Sequence, residues 1–261
     1  MTSQTIRIAM EERGVAHLTL TRAEKHNALS AEMIDALTKA AHDLGRNRSV
    51  RVVVLRGEGQ SFCAGGDLGW MRAQFDAGRA ARVTEARRLA NLFKALNELP
   101  KPLVARVQGN AFGGGIGLLS VCDMAIAAAT ARFGLTEVRL GIIPATISPY
   151  VVARIGEANA RPLFISGKII DAWHAHAVGM LTRVVPEDAL DEAIESEIRH
   201  LLAASPEAAA RAKTLARSLG TPITEETIDR VVEQLVEAWE TEEAREGITA
   251  FFERREPSWR R

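Results

Sequence analysis

The sequence predicts an α/β fold. Three features point to it: apolar strand-like runs alternate with helix-patterned stretches over the first half, two of these units carry a glycine-rich loop ahead of a helix, and the last third is almost wholly helical in pattern. TIRIAM and AHLTLT alternate apolar and polar residues on either side of EERGV and read as a β-hairpin. After RAEKHNAL, Ser30 is placed to cap the helix AEMIDALTKAAHDLGR, in which Met33, Ile34, Leu37 and Ala41 share one face. VRVVVLRG is a fully apolar strand ending at Gly57. The unit then repeats in kind: helix AARVTEARRLANLFKALNELP, strand PLVARVQG, glycine-rich loop, short helix GGIGLLSVCD and strand MAIAAA. From Ile147 onward LTRVV is the one strand expected among helical stretches. An amphipathic C-terminal region of this length packs on its own core or on a sister subunit. The basic end RREPSWRR reads as a solvated tail.

At 261 residues the chain is long enough to bury a substantial core. Its 33 basic and 33 acidic residues cancel, so electrostatics supply no case for a nucleic-acid or anionic-membrane partner. An acidic ligand must be met locally. Cys63 and Cys122 make no disulfide framework, and no Cys/His cluster has zinc-ligand spacing, which points to a reducing compartment. The N-terminus lacks a hydrophobic signal core and no apolar run reaches the roughly 18 residues of a membrane span. A cytoplasmic enzyme is the expectation.

The chemistry turns on SFCAGGDLGWM (Ser61 to Met71) and GNAFGGGIGLLSVCD (Gly109 to Asp123). A loop entering a helix presents N–H groups that the helix cannot satisfy, and glycine lets a ligand approach them. GGGIG lacks the spacing of a dinucleotide fingerprint, and no Gly-Lys-Ser/Thr follows to make a phosphate-binding Walker loop. Two readings remain. Each loop can aim one N–H at a shared carbonyl oxygen, as an oxyanion hole, or both are tight turns with glycine for steric reasons. Other candidates are weaker. His174 and His176 are two apart on a helix and so do not share a face, Cys63 reads as a small buried filler, Asp67 as a helix cap and Asp123 as structural.

These motifs, in order, resemble the crotonase family, the enoyl-CoA hydratase/isomerase superfamily. LTRAEKHNALS is similar to its first CoA-contacting loop, FCAGGDLGWM to its Ala-Gly-X-Asp loop, and KPLVARVQGNAFGGGIGLLSVCDMAIA to its second oxyanion loop and following helix. ARFGLTEVRLGIIP resembles the segment carrying the catalytic glutamate, and EGITAFFERREPSW the C-terminal helix. The resemblance implies a crotonase-like spiral of ββα units with a C-terminal helical region, assembled as a homotrimer or homohexamer. Residues 1–200 would form the core with the acyl-CoA site, and 201–261 a helical part for assembly and for covering CoA. It implies that the Gly66 and Gly114 N–H groups hold the thioester oxygen, that Ala64, Gly66, Asp67 and Leu68 line the thioester and CoA channel with Gly113, and that Lys25 and Ala28 lie near the adenine end. Phe252 and Arg255 would meet the nucleotide. CoA arrives as part of the substrate, so no separate cofactor and no metal is implied.

Family hydratases commonly hold water between two glutamates. Glu137 matches the second, whereas Gly117 stands where the first would be. General acid–base catalysis by a carboxyl group contributes about 10²–10⁴-fold, so one glutamate leaves water addition weakened and suits an isomerase that moves a proton between carbons. Against this, GDLGWM and LTEVRLGIIPATISPYVVARIGEANARP resemble the bacterial branch with 3-methylglutaconyl-CoA and isohexenylglutaconyl-CoA hydratases of leucine and terpenoid breakdown, which tends to lack the first glutamate. In that branch Trp70 and Met71 would wall the acyl pocket, and Arg139 or Arg72 would meet a distal carboxylate. Trp70 as a core aromatic and Arg72 as a surface residue are the alternatives. A thioester hydrolase, a dehalogenase or a catalytically silent acyl-CoA or RNA binder of the same fold also stays open.

Overall fold

The computed structural model describes residues 4–260. The hairpin forms as expected: β1 (Ile6–Met10) and β2 (Val15–Leu20) pair antiparallel, with Ile6 opposite Leu20. Ser30 accepts from the Met33 N–H and starts α1 (Ala31–Arg46), whose buried face holds Met33, Ile34, Leu37 and Ala41. β3 (Val52–Gly57) then runs parallel to β2.

The glycine loops do not follow the long apolar strands directly, which corrects the sequence reading. Each long strand first turns into a three-residue strand. β3 leads to β4 (Ser61–Cys63), then the first glycine loop, α2 (Leu68–Asp76) and α3 (Arg79–Asn97). β5 (Leu103–Val107) leads to β6 (Asn110–Phe112), the second loop and α4 (Gly114–Ser120). β7 (Met124–Ala128) leads to β8 (Arg132–Gly134), a 3₁₀ turn over Thr136–Leu140, and α5 (Ser148–Ser166), which bends at Gly156. Another unforeseen strand, β9 (Ile169–Asp171), precedes α6 (Ala172–Ala177), β10 (Arg183–Val185) and α7 (Leu190–Ala203). Three residues are too few to show a period of two, so SFC, NAF, RFG and IID carry no legible strand pattern.

The long strands form one sheet in the order β1-β2-β3-β5-β7-β10, and the short ones a second in the order β4-β6-β8-β9. Each pass of the chain thus gives one strand to each sheet and then a helix, a spiral of ββα units. Alternation decides the core: Val52 and Val54 face Leu190, Ile194 and Ile198 of α7, while Val53 and Leu55 face the interior with Leu18, Leu37 and Phe93. Both faces are covered, which is why this strand is apolar throughout.

The C-terminal part comprises α8 (Pro206–Leu219), α9 (Glu225–Trp239) and α10 (Glu242–Glu253). α9 packs on its own chain: Ile228, Val231, Val232 and Leu235 bury against Ala86 and Ala90 of α3. Arg79–Glu233, Arg87–Asp229 and Lys94–Glu225 ion pairs flank that seam. Such solvent-facing pairs contribute at most about 1 kcal/mol each, whereas each large apolar side chain fully buried contributes roughly 1.5–3 kcal/mol. Burial therefore holds α9 in place. α10 rests on the 3₁₀ turn, so closely that a β-carbon on Gly247 would lie 2.6 Å from the Leu140 carbonyl oxygen. α8 has no buried residue and leaves Leu215 and Leu219 exposed.

The basic end is solvent-exposed as expected, but over residues 255–259 it folds back on α10 rather than trailing free. The Ser258 N–H donates to Glu246 Oε1 at 2.8 Å, Arg255 pairs with the same carboxylate at 2.7 Å, and the Trp259 ring comes so close to Gly247 that a β-carbon there would lie 2.7 Å from it.

Candidate active site

Because β4, β6 and β8 run parallel, their C-terminal ends lie on one edge of the small sheet. The three loops that leave them, through Ala64–Gly66, Gly113–Gly114 and Thr136–Glu137, therefore meet in space. The Gly113 N–H donates to the Gly134 carbonyl at 3.0 Å and locks the second loop to the third. Gly113 has φ 47° and ψ −116°, a conformation that a side chain would strain. A β-carbon there would also lie 2.8 Å from Glu137 Oε1. The first two loops touch as well: a β-carbon built on Gly114 would be 3.7 Å from Gly65 Cα.

Among the described residues neither the Gly66 nor the Gly114 N–H has an acceptor. Leu29 satisfies the neighbouring groups instead, donating to the Gly65 carbonyl at 2.8 Å and accepting from the Asp67 N–H at 3.1 Å. Gly66 and Gly114 both line a cavity of about 560 Å³. Its walls are largely apolar, with Leu68, Met71, Leu235 and Trp239 among them, and its polar side chains include Thr136, Glu137, Arg139 and Thr146.

Glu137 stands in the 3₁₀ turn, whose end is tied down by the Ile142 N–H donating to the Glu137 carbonyl at 3.2 Å. The residue is half-buried, but its carboxyl is enclosed, with Oε2 shut off from solvent and unpartnered. Burial pushes its pKa up to about 7, against a smaller lowering by its own backbone N–H. A carboxyl poised there exchanges protons in either direction near neutral pH.

Gly117 lies inside α4 and away from the cavity lining. A β-carbon on it would collide with Ile147 Cγ2 and approach Phe93 Cε1 to 2.8 Å. The space into which a side chain at Gly117 would extend is filled by hydrocarbon.

The structure brings Ala64, Gly66, Leu68, Trp70, Gly113, Gly114, Glu137 and Arg139 together around the cavity. Asp67, expected in the channel lining, is not there, and Ala28 and Lys25, expected near the adenine end, lie outside the cavity as well. Asp67 is the α2 cap, accepting from the Gly69 and Trp70 N–H groups, and it pairs with Arg22 at 2.8 Å, which holds its carboxyl below the usual range despite burial that opposes this. Ala28 is buried, its carbonyl accepting from Arg22 at 2.7 Å. Lys25 ends a short 3₁₀ turn outside the lining. Arg72 stacks over Phe252, 4.8 Å from the ring centroid, so it serves α10 rather than the cavity. Arg255 borders the cavity but is paired with Glu246 and Glu253. Arg139 is exposed and has no carboxylate partner among the described residues. Cys63 is buried and its thiol is pushed up to about 12 by burial, as suits a filler. Asp123 accepts from the Leu103 N–H at 2.7 Å and from Lys213 at 2.9 Å, a structural role. The sequence reading missed Leu235, Trp239, Pro257, Trp259 and Arg260 on the cavity wall. The helical pattern of α9 announces burial of Leu235 and Trp239 but not against what, and Pro257, Trp259 and Arg260 lie beyond α10 with no pattern to read.

Two preorganised amides beside one enclosed carboxyl define a class of α/β protein that can hold a developing oxyanion while moving a proton. The chain matches the Enoyl-CoA hydratase/isomerase family over residues 10–261, and it belongs to that family, the crotonase superfamily. A crystal structure titled as an enoyl-CoA hydratase from Mycobacterium avium superposes with a TM-score of 0.88 at 31% identity, covering 99% of this chain and 100% of that one. One from Shewanella pealeana, also titled as an enoyl-CoA hydratase, gives 0.80 at 37% identity over 98% and 96%. The mouse protein named methylglutaconyl-CoA hydratase, mitochondrial, is 32% identical over 257 residues, 96% of this chain and 81% of its own. Among the described residues no helix is long and apolar enough to cross a membrane.

Proposed function

We propose that this enzyme adds water across the 2,3 double bond of an enoyl-CoA thioester with a branched, glutaconyl-type acyl group. The observation that carries this reading is the enclosed Glu137 carboxyl, poised near pH 7 beside two unsatisfied amides. The Gly66 and Gly114 N–H groups take the thioester oxygen and stabilise the enolate that forms there. Glu137, as carboxylate, removes a proton from water as its oxygen bonds to Cβ, and the same carboxyl then delivers that proton to Cα. The double bond is consumed, one water is gained, and the base is regenerated. A single carboxyl suffices because the proton that it takes is the proton that it gives.

Arg139 is the group we assign to the distal carboxylate: it borders the cavity with a guanidinium that no acid engages. The name of the mouse relative agrees with a dicarboxylic acyl group. Replacing Arg139 by Met is expected to raise KM for 3-methylglutaconyl-CoA by about 10-fold or more, as a charge-assisted contact of about 1.5–3 kcal/mol is lost, while crotonyl-CoA is unaffected. Equal changes for both esters would refute the assignment.

Assembly is part of the proposal. Ile165, Ile169 and Trp173 are exposed in three consecutive elements, and Ile169 also borders the cavity. A homotrimer or homohexamer would cover them, with 201–261 contributing to assembly and to covering CoA.

The filled space beside Gly117 favours a second reading, an isomerase in which Glu137 shuttles a proton between C2 and C4. One assay separates the two. Purified protein is offered crotonyl-CoA, 3-methylglutaconyl-CoA and a 3-enoyl-CoA, with enoyl-thioester absorbance followed and products weighed. Gain of one water on the methylglutaconyl ester is the expected result. Unchanged mass with absorbance rising from the 3-enoyl ester would establish the isomerase.

A further inference from the structure

A second cavity, of about 570 Å³, lies beside the first. Its lining includes Arg22, Glu32, Asp67, Gln74, Ala81 and Glu85. Among the described residues Trp70 alone borders both cavities. Its indole flanks the first glycine loop, with Cε3 3.9 Å from a β-carbon built on Gly66, and its ring meets Trp239 edge-on at 6.5 Å between centroids. Its Nε1–H points the other way and donates to Glu85 Oε2 at 2.9 Å. The first space is walled largely by hydrocarbon, whereas the second sets the charged Arg22, Glu32, Asp67 and Glu85 beside the small apolar Ala73, Ala77 and Ala81. An indole, apolar in body with one polar N–H, suits that boundary.

We infer that Trp70, latched by Glu85, is the partition that limits the acyl group this enzyme accepts. For its ligand class this rests on the acyl-CoA reading above. A thioester oxygen held at Gly66 puts the first acyl carbons beside the indole. A short acyl group packs against the ring, whereas a longer straight chain is stopped by it. Each further methylene buried multiplies affinity about fourfold, so affinity climbs with chain length only until the ring is reached. Removing the indole would join the two cavities and let the chain run on into the second, against the methyl groups of Ala73, Ala77 and Ala81 that line it.

The test is calorimetric binding of saturated acyl-CoA esters from butanoyl to dodecanoyl, which cannot be hydrated, to the wild type and to Trp70→Ala. The wild type is expected to level off at short chain length. The variant is expected to continue gaining about fourfold per methylene, reaching on the order of 100-fold over the wild type after three or four more carbons. A cooperative thermal unfolding transition shows that the variant is folded. If it is absent, Trp70→Leu, which keeps apolar bulk on α2, is read in its place and is expected to move the levelling point by one or two carbons. Parallel length profiles in wild type and folded variant would overturn the partition alone. A wild type that binds no acyl-CoA of any length would overturn the acyl-CoA reading and the partition with it.

Discussion

Glu137→Gln is expected to lower kcat by about 10²–10⁴-fold while leaving the affinity for a CoA ester nearly unchanged. The substitution keeps the shape of the side chain and its place against Gly113, and removes only the ability to take and return a proton. The wild-type rate should follow ionisation of this group, rising with pH through about 7 and levelling above it, and the variant should lose that limb. Stability gives an independent check. The pKa in the folded protein, about 7, lies above its ordinary 4.5, because burial disfavours the charged form. Below pH 4.5 both folded and unfolded states hold the proton and the group costs nothing. Between 4.5 and 7 the unfolded state releases it first, so the cost grows with pH and is complete above 7. Glutamine escapes that cost. Glu137→Gln should therefore unfold later than the wild type at pH 8, by up to about 3 kcal/mol, and at nearly the same midpoint at pH 4. Wild-type turnover in the variant would remove Glu137 from the mechanism, and equal stability gains at both pH values would remove its raised pKa.

Gly117→Glu, which installs the residue that two-glutamate hydratases carry there, is expected to damage the protein rather than improve it. The first added carbon already meets Ile147 and lies 2.8 Å from Phe93 Cε1, both fully buried or nearly so. Overpacking of this kind costs roughly 1–3 kcal/mol, and a carboxyl forced among hydrocarbon without a partner adds about as much again. Denaturant unfolding should show a loss of several kcal/mol, with Gly117→Ala losing part of it. Phe93→Ala alone leaves a hole and costs about 3–5 kcal/mol. Combined with Gly117→Glu it should cost less than the sum, because one change vacates the space that the other needs. Additive losses would mean that Phe93 is not what excludes a second carboxylate. A stable, more active Gly117→Glu would mean that Ile147 and Phe93 yield easily and that the apolar filling has no bearing on the chemistry.

Local pattern and chemistry were legible in the residues themselves. Ser30 capping α1, the buried face of Met33, Ile34, Leu37 and Ala41, and the apolar β3 all follow from short-range periodicity that the structure keeps. The motif order around Ala64–Gly66, Gly113–Gly114 and Glu137 pointed to the family, and those residues do meet at one cavity. The dual expectation for Asp67 shows the limit. Its side-chain chemistry pointed to a cap, which it is, while its place in a motif pointed to the ligand channel, which it does not line.

What the sequence determined by itself is which segments are helix or long strand and which side chains can donate, accept or move a proton, because these depend on neighbours within one turn or one pleat. What only the tertiary structure decided is the company that those groups keep. The three-residue strands β4, β6 and β8 have no pattern of their own and exist because they pair with one another, and their pairing alone brings Glu137 within reach of Gly113. The same holds for the raised pKa of Glu137, the hydrocarbon beside Gly117 and the fold-back of Trp259. Each is set by chain segments far apart in sequence, and burial is a property of the assembled neighbourhood rather than of any one residue.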